Sequence, residues 1–96
     1  MDLKVVIIED NPRYRDSLET LFKHAPGFCW CASFGSALAA LDELERLERA
    51  SQEPAWQIAL VDIELPVMNG IEAIRRLKKY LPNLLRDSQY NVFTFF

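Results

Sequence analysis

The chain has 96 residues, half of them hydrophobic and 26% charged, with a net charge of −3, which is a globular composition for one small domain rather than a disordered chain. The negative balance argues against nucleic-acid binding, because phosphate backbones select clustered Lys and Arg, and the one basic cluster, Arg75, Arg76, Lys78 and Lys79, has the spacing of a solvated helix face. No apolar run reaches the length of about 18 residues that a membrane helix needs. MDLKVVII carries no secretory pattern, so the expected location is the cytoplasm.

Lys4–Ile8 (KVVII) is β-branched and apolar, as a strand buried on both faces should be. It ends in Glu9 and Asp10. Asn11-Pro12 then opens a helix, with Asn as cap and Pro at the first helical position. Tyr14, Leu18, Leu21 and Phe22 give that helix one apolar face, and Pro26-Gly27 ends it. Phe28–Ser33 is a second strand. Its Cys29 and Cys31 are read as two reduced, half-buried thiols on one side, not a disulfide. A metal site there would need more ligands, and His24 is the only histidine. A second helix starts near Ser36 with Leu38, Leu41, Leu44 and Leu47 as its inner stripe and Ala37 and Ala40 alongside. Trp56–Val61 is the third strand. Asn69 can cap a third helix, with Glu72 completing a capping box. Ile71, Ile74, Leu77 and Leu81 form the buried side of that helix. Strands alternating with amphipathic helices imply parallel pairing. Residues 1–83 form this domain, and residues 84–96 are an atypical tail whose Tyr90–Phe96 is a candidate fourth strand.

The stretch Ala59–Gly70, ALVDIELPVMNG, carries Asp62 at the end of the third strand. Ligands of open α/β sheets bind at such C-terminal tips. If strands one and three are neighbours, Glu9, Asp10 and Asp62 gather at one sheet edge. Three carboxylates there repel one another unless a cation binds, and Mg²⁺ is the hard ion that takes oxygen ligands of this kind. A carboxylate beside such a metal can attack phosphorus and become an aspartyl phosphate. Purely structural roles also suit these acids, Glu9 as a solvated turn residue and Asp62 as a loop cap.

VVIIEDNP taken with ALVDIELPVMNG resembles the receiver domain of bacterial two-component response regulators. CASFGSALAAL is similar to that family's second strand and helix, and the likeness covers about residues 3–83. The resemblance implies an incomplete flavodoxin-like fold, a doubly wound parallel sheet built β-α-β-α-β-α with the candidate fourth strand added. It also implies that Asp62 is phosphorylated by a sensor histidine kinase or another phosphodonor. Asp10 and Asp62 would bind Mg²⁺, Glu9 would help through water, and the backbone carbonyl of Glu64 would be a further ligand. Pro66 and Gly70 would shape the loop.

The departures from the family are specific. A receiver has five strands and five helices, whereas this likeness fades after Asn83. Thr94 is the one candidate for the hydroxyl that ends strand four in the family, and the Lys that ends strand five has no counterpart. A half-built sheet leaves the edge of strand three, or of strand four, unpaired and its apolar face uncovered. VFTFF is an uncharged, aggregation-prone strand segment. We therefore expect a homodimer formed by strand or element exchange across the sheet edge. The expected function is a phosphoacceptor switch rather than an enzyme. The alternative is an interaction and dimerisation module that keeps the fold without switching. An Asp-nucleophile phosphotransferase would need a suitably spaced second Asp after Asp62, and a dinucleotide site would carry glycines where the first loop carries acids.

Overall fold

The five-stranded sheet is built outward from β1 (Leu3–Ile8), where Val5, Val6, Ile7 and Ile8 are all fully buried. A computed structural model of the chain describes residues 2–61, 70–80, 84–87 and 92–95. Flanking β1 in parallel are β2 (Phe28–Phe34) and β3 (Ile58–Val61). The helices α1 (Pro12–His24), α2 (Ala37–Arg49) and α3 (Gly70–Tyr80) alternate with them, giving the parallel three-strand core expected of a flavodoxin-like receiver. Asn11 caps α1, its side-chain oxygen accepting from the N–H groups of Arg13 and Tyr14 at 3.0 and 3.2 Å. The Ser36 hydroxyl accepts from Ala39 N–H at 3.1 Å and caps α2.

Alternation along β1 divides the core in two. Val6 and Ile8, with Ala59, Val61 and Trp56, pack under Ala37, Ala40 and Leu44 of α2 and Leu77 of α3. Val5, Ile7 and Ile58 meet Leu18 and Phe22 of α1 on the opposite face. The pairing of β1 with β2 shifts register between Val5 and Val6, so that Trp30 pairs with Val5 and Ala32 with Val6. Cys31 is the extra residue. A one-residue slip changes the face on which every later side chain falls. Phe28 and Trp30 therefore join the α1 side, while Ala32 and Phe34 join the α2 side.

Several expectations are corrected. Tyr14 and Leu21 are each 58% exposed, because only Leu18 and Phe22 of α1 turn toward the sheet. Leu38 is likewise exposed, since the inner line of α2 runs through Ala37, Ala40 and Leu44. Cys29 and Cys31 are exposed free thiols rather than half-buried ones. Ile71, Ile74 and Leu81 lie outside the described side chains, as does Asn69. Glu72 forms ion pairs with Arg75 and Arg76, at 3.2 and 3.4 Å, and its capping box with Asn69 falls outside the described residues.

The tail adds two strands where one was expected. β4 (Leu84–Asp87) and β5 (Val92–Phe95) pair antiparallel, and β5 also pairs antiparallel with β3, giving the order β2-β1-β3-β5-β4. The few residues between Asp87 and Val92 cannot supply the crossover of about a dozen residues or more that a parallel pair needs. The edge of β3 is thereby covered, and the sheet ends at β2 and β4.

Candidate functional site

Ile8 pairs with Val61 in the parallel ladder of β1 and β3, so the two strands end side by side. The next residue after Ile8 is Glu9, and the next in sequence after Val61 is Asp62. Asp62, Glu64 and Pro66 lie outside the described residues, and Gly70 is the first residue of α3.

Glu9 is 7% exposed, the one charged residue in the core among the described residues. Its backbone is held on both sides. The N–H donates to the Phe34 carbonyl at 3.0 Å, and the carbonyl accepts from Arg15 Nη1 at 2.8 Å. Asp10 follows in an exposed bend, and Asn11 then starts α1 as its cap. A buried carboxylate next to an exposed one, both at a strand tip, is an all-oxygen donor pair of the kind that a hard cation accepts. Among the described residues no three metal-ligating side chains converge. The expected third acid is Asp62, outside them.

Thr94 is not brought to this tip. Its backbone pairs with Ile58, at the beginning of β3, because β5 runs antiparallel. Residue 58 and residue 61 stand about 10 Å apart along a strand.

Two residues near the tip were missed from the sequence. Arg15 is half-buried on α1 and bonds the Glu9 carbonyl. Gly35, between β2 and α2, lies so close that a Cβ built there would stand 3.3 Å from Arg15 Nη1. A signal for Arg15 existed in the sequence: it precedes Leu18 and Phe22 at i, i+3 and i+7, a charge on the stripe that faces the sheet.

Away from the tip, Arg75, Arg76, Lys78 and Lys79 are all exposed, as a solvated helix face requires. A cavity of about 390 Å³ lies between β2, α2 and the segment before β3, lined by Phe34, Leu47, Trp56 and the carboxylates Glu43 and Glu53. Neither Glu9 nor Asp10 contributes to it. Among the described residues no helix is long and apolar enough to cross a membrane.

The chain is 32% identical over 78 residues to a protein-glutamate methylesterase/protein-glutamine glutaminase of Treponema denticola, covering 81% of this chain and 19% of that protein. It is 31% identical over 77 residues to the response regulator sskA of Aspergillus fumigatus, covering 80% of this chain and 8% of that one. The chain thus spans about a fifth or less of the curated relatives it matches. Among solved structures, the response regulator domain of Thermotoga maritima CheB superposes with a TM-score of 0.64 at 23% identity, covering 85% of this chain and 56% of that chain. At that identity the likeness concerns the fold. The family described as the response regulator receiver domain matches residues 5–94, from the second residue after Leu3 to the last strand. On that match, the chain belongs to the receiver domains of two-component response regulators.

Proposed function

We infer that this domain is a phosphoacceptor switch in which Asp62 receives a phosphoryl group from a sensor histidine kinase or a small-molecule phosphodonor. The observation that carries this reading is the pairing of Ile8 with Val61, which sets Glu9 and Asp10 beside the strand that leads into Asp62. In the step proposed, a carboxylate oxygen of Asp62 attacks phosphorus. The bond from phosphorus to the donor breaks, and its electron pair leaves with the donor. Glu9, Asp10, Asp62 and the backbone carbonyl of Glu64 would hold Mg²⁺, with Pro66 and Gly70 shaping the loop. Bound Mg²⁺ offsets negative charge on the transferring oxygens. Water attack on phosphorus later returns the free carboxylate and inorganic phosphate. The setting proposed is the cytoplasm.

Intact mass after incubation with Mg²⁺ and a small acyl phosphate tests this. We expect one phosphoryl adduct, absent in Asp62→Asn. An adduct that persists in Asp62→Asn, or none in either protein, rejects it.

One observation favours a second reading, an interaction module that dimerises without switching. Thr94, the expected switch hydroxyl, pairs with Ile58 at the far end of β3. Such a homodimer would form by strand or element exchange at the open sheet edges, β2 or β4. Light scattering at micromolar concentration should then show a dimer whether or not Asp62 is intact, and a monomer rejects this reading.

A further inference from the structure

The neighbours of Glu9 suggest how its place at the tip is maintained. A carboxylate that is to hold a cation has to stay in place when the cation is absent, although nearby carboxylates push it away. Here the Glu9 peptide is gripped from two elements: Phe34 at the end of β2 takes its N–H, and Arg15 on α1 takes its carbonyl at 2.8 Å. The bond from Arg15 is charge-assisted and comes from a rigid, planar group. Arg15 shares the sheet-facing stripe with Leu18 and Phe22, so packing limits where its side chain can go.

Gly35 completes the arrangement. Its φ does not lie in the left-handed region, so no backbone need explains a glycine there. Space does. A Cβ would stand 3.3 Å from Arg15 Nη1 and 4.0 Å from Cζ, and the guanidinium would have to shift by a few tenths of an ångström.

We propose that Arg15, given its place by Gly35, is a positioning residue for the metal site at the tip of β1, holding the Glu9 carbonyl so that the Glu9–Asp10 segment is set for Mg²⁺. The proposal rests on the phosphoacceptor reading above. Two effects of Arg15 oppose each other, which makes the sign informative. As a cation near the acids it weakens Mg²⁺ binding by repulsion. As a clamp on the backbone it strengthens that binding. Repulsion at a partly exposed site is screened by water and salt, whereas outer-shell partners of metal ligands typically control affinity by about 10- to 100-fold. The clamp should win.

The experiment is a calorimetric titration of the full chain with Mg²⁺ alone, for wild type, Arg15→Met, Arg15→Lys, Gly35→Ala and the double variant Arg15→Met/Gly35→Ala. Amide hydrogen exchange of the metal-free proteins runs beside it. Arg15→Met should weaken Mg²⁺ about tenfold, and Arg15→Lys should recover part of the loss. Gly35→Ala should weaken it in the same direction while leaving the charge in place. In the Arg15→Met background Gly35→Ala should add nothing, since both act through one contact. Exchange should quicken at residues 9–11 and stay unchanged across β1 and β3. Wild type that binds Mg²⁺ and gains the Asp62 adduct, with Arg15→Met binding equally or more tightly, overturns the role of Arg15 alone. Wild type that does neither overturns the phosphoacceptor reading and the proposal with it.

Discussion

Truncating two leucines of α2 tests which side of that helix faces the core. Leu44 is 2% exposed and packs in the cluster that contains Val6, Ile8 and Leu77, whereas Leu38 on the same helix is 44% exposed. Leu→Ala removes about three carbon groups at about 0.8 kcal/mol each, or roughly 2.4 kcal/mol of transfer free energy at full burial. Leu44 is almost wholly enclosed, and a cavity left unfilled there adds about 1 kcal/mol or more. Leu44→Ala should therefore cost about 3.5 kcal/mol. At Leu38, 44% exposed, little more than half of the transfer term applies and water fills the gap, so Leu38→Ala should cost about 1.3 kcal/mol. Urea unfolding followed by Trp fluorescence measures both, with m unchanged if the native fold is kept. Equal costs at the two positions would refute the orientation of α2, and with it the packing that backs Ile8 beside the acidic tip.

Asn11→Ala removes the acceptor for two N–H groups of α1. It should cost about 1 kcal/mol and lower Tm by about 4–8 °C; a Tm within a degree of wild type would show that the cap is idle. Cys29 and Cys31 are both exposed, so a thiol reagent should titrate both in the native protein at rates close to those of the unfolded chain. Protection of either thiol contradicts their placement. The hydrogen bond and charge of Arg46 hold the Glu43 carboxyl below the usual carboxylate range. With its folded pKa depressed, the pair contributes stability above the ordinary carboxylate range and loses it as pH falls through the folded value. Glu43→Gln should thus differ from wild type at neutral pH and low salt and converge with it in acid. The difference should be small, because the pair is exposed and screened. A gap that widens on acidification would reverse the sign.

The sequence made the central part of the domain readable because its signals are local. KVVII needs burial on both faces wherever it sits, and Asn11-Pro12 caps a helix without help from a neighbour. The acids that follow Ile8 were legible for the same reason. What a neighbour covers was not legible. The periodicity of Tyr14, Leu18, Leu21 and Phe22 marks one apolar face, yet only Leu18 and Phe22 reach the sheet. FCWCASF alternates as a one-sided strand would, and nothing in its composition announces the extra residue at Cys31. VFTF was recognisable as a strand, but its direction depends on its link to LLRD, a segment too short and too charged to read as a strand. The closeness of Arg15 to Gly35 was hidden because it spans α1 and the turn after β2, a pairing that only the folded chain creates.

The extra residue in β2 also bears on solubility. An outer strand of seven residues without a single charge, FCWCASF, offers a row of backbone groups on which a foreign strand could be laid down. Lys and Pro, the usual deterrents, are missing from it. The irregularity at Cys31 takes their place, because it breaks the spacing of donors and acceptors halfway along and a regular strand can match only one half at a time. Removing Cys31 would mend that spacing and still leave Ala32 opposite Val6 and Phe34 opposite Ile8, on the α2 side. The same deletion would keep the core in register yet give the domain a regular edge on which fibrils can grow.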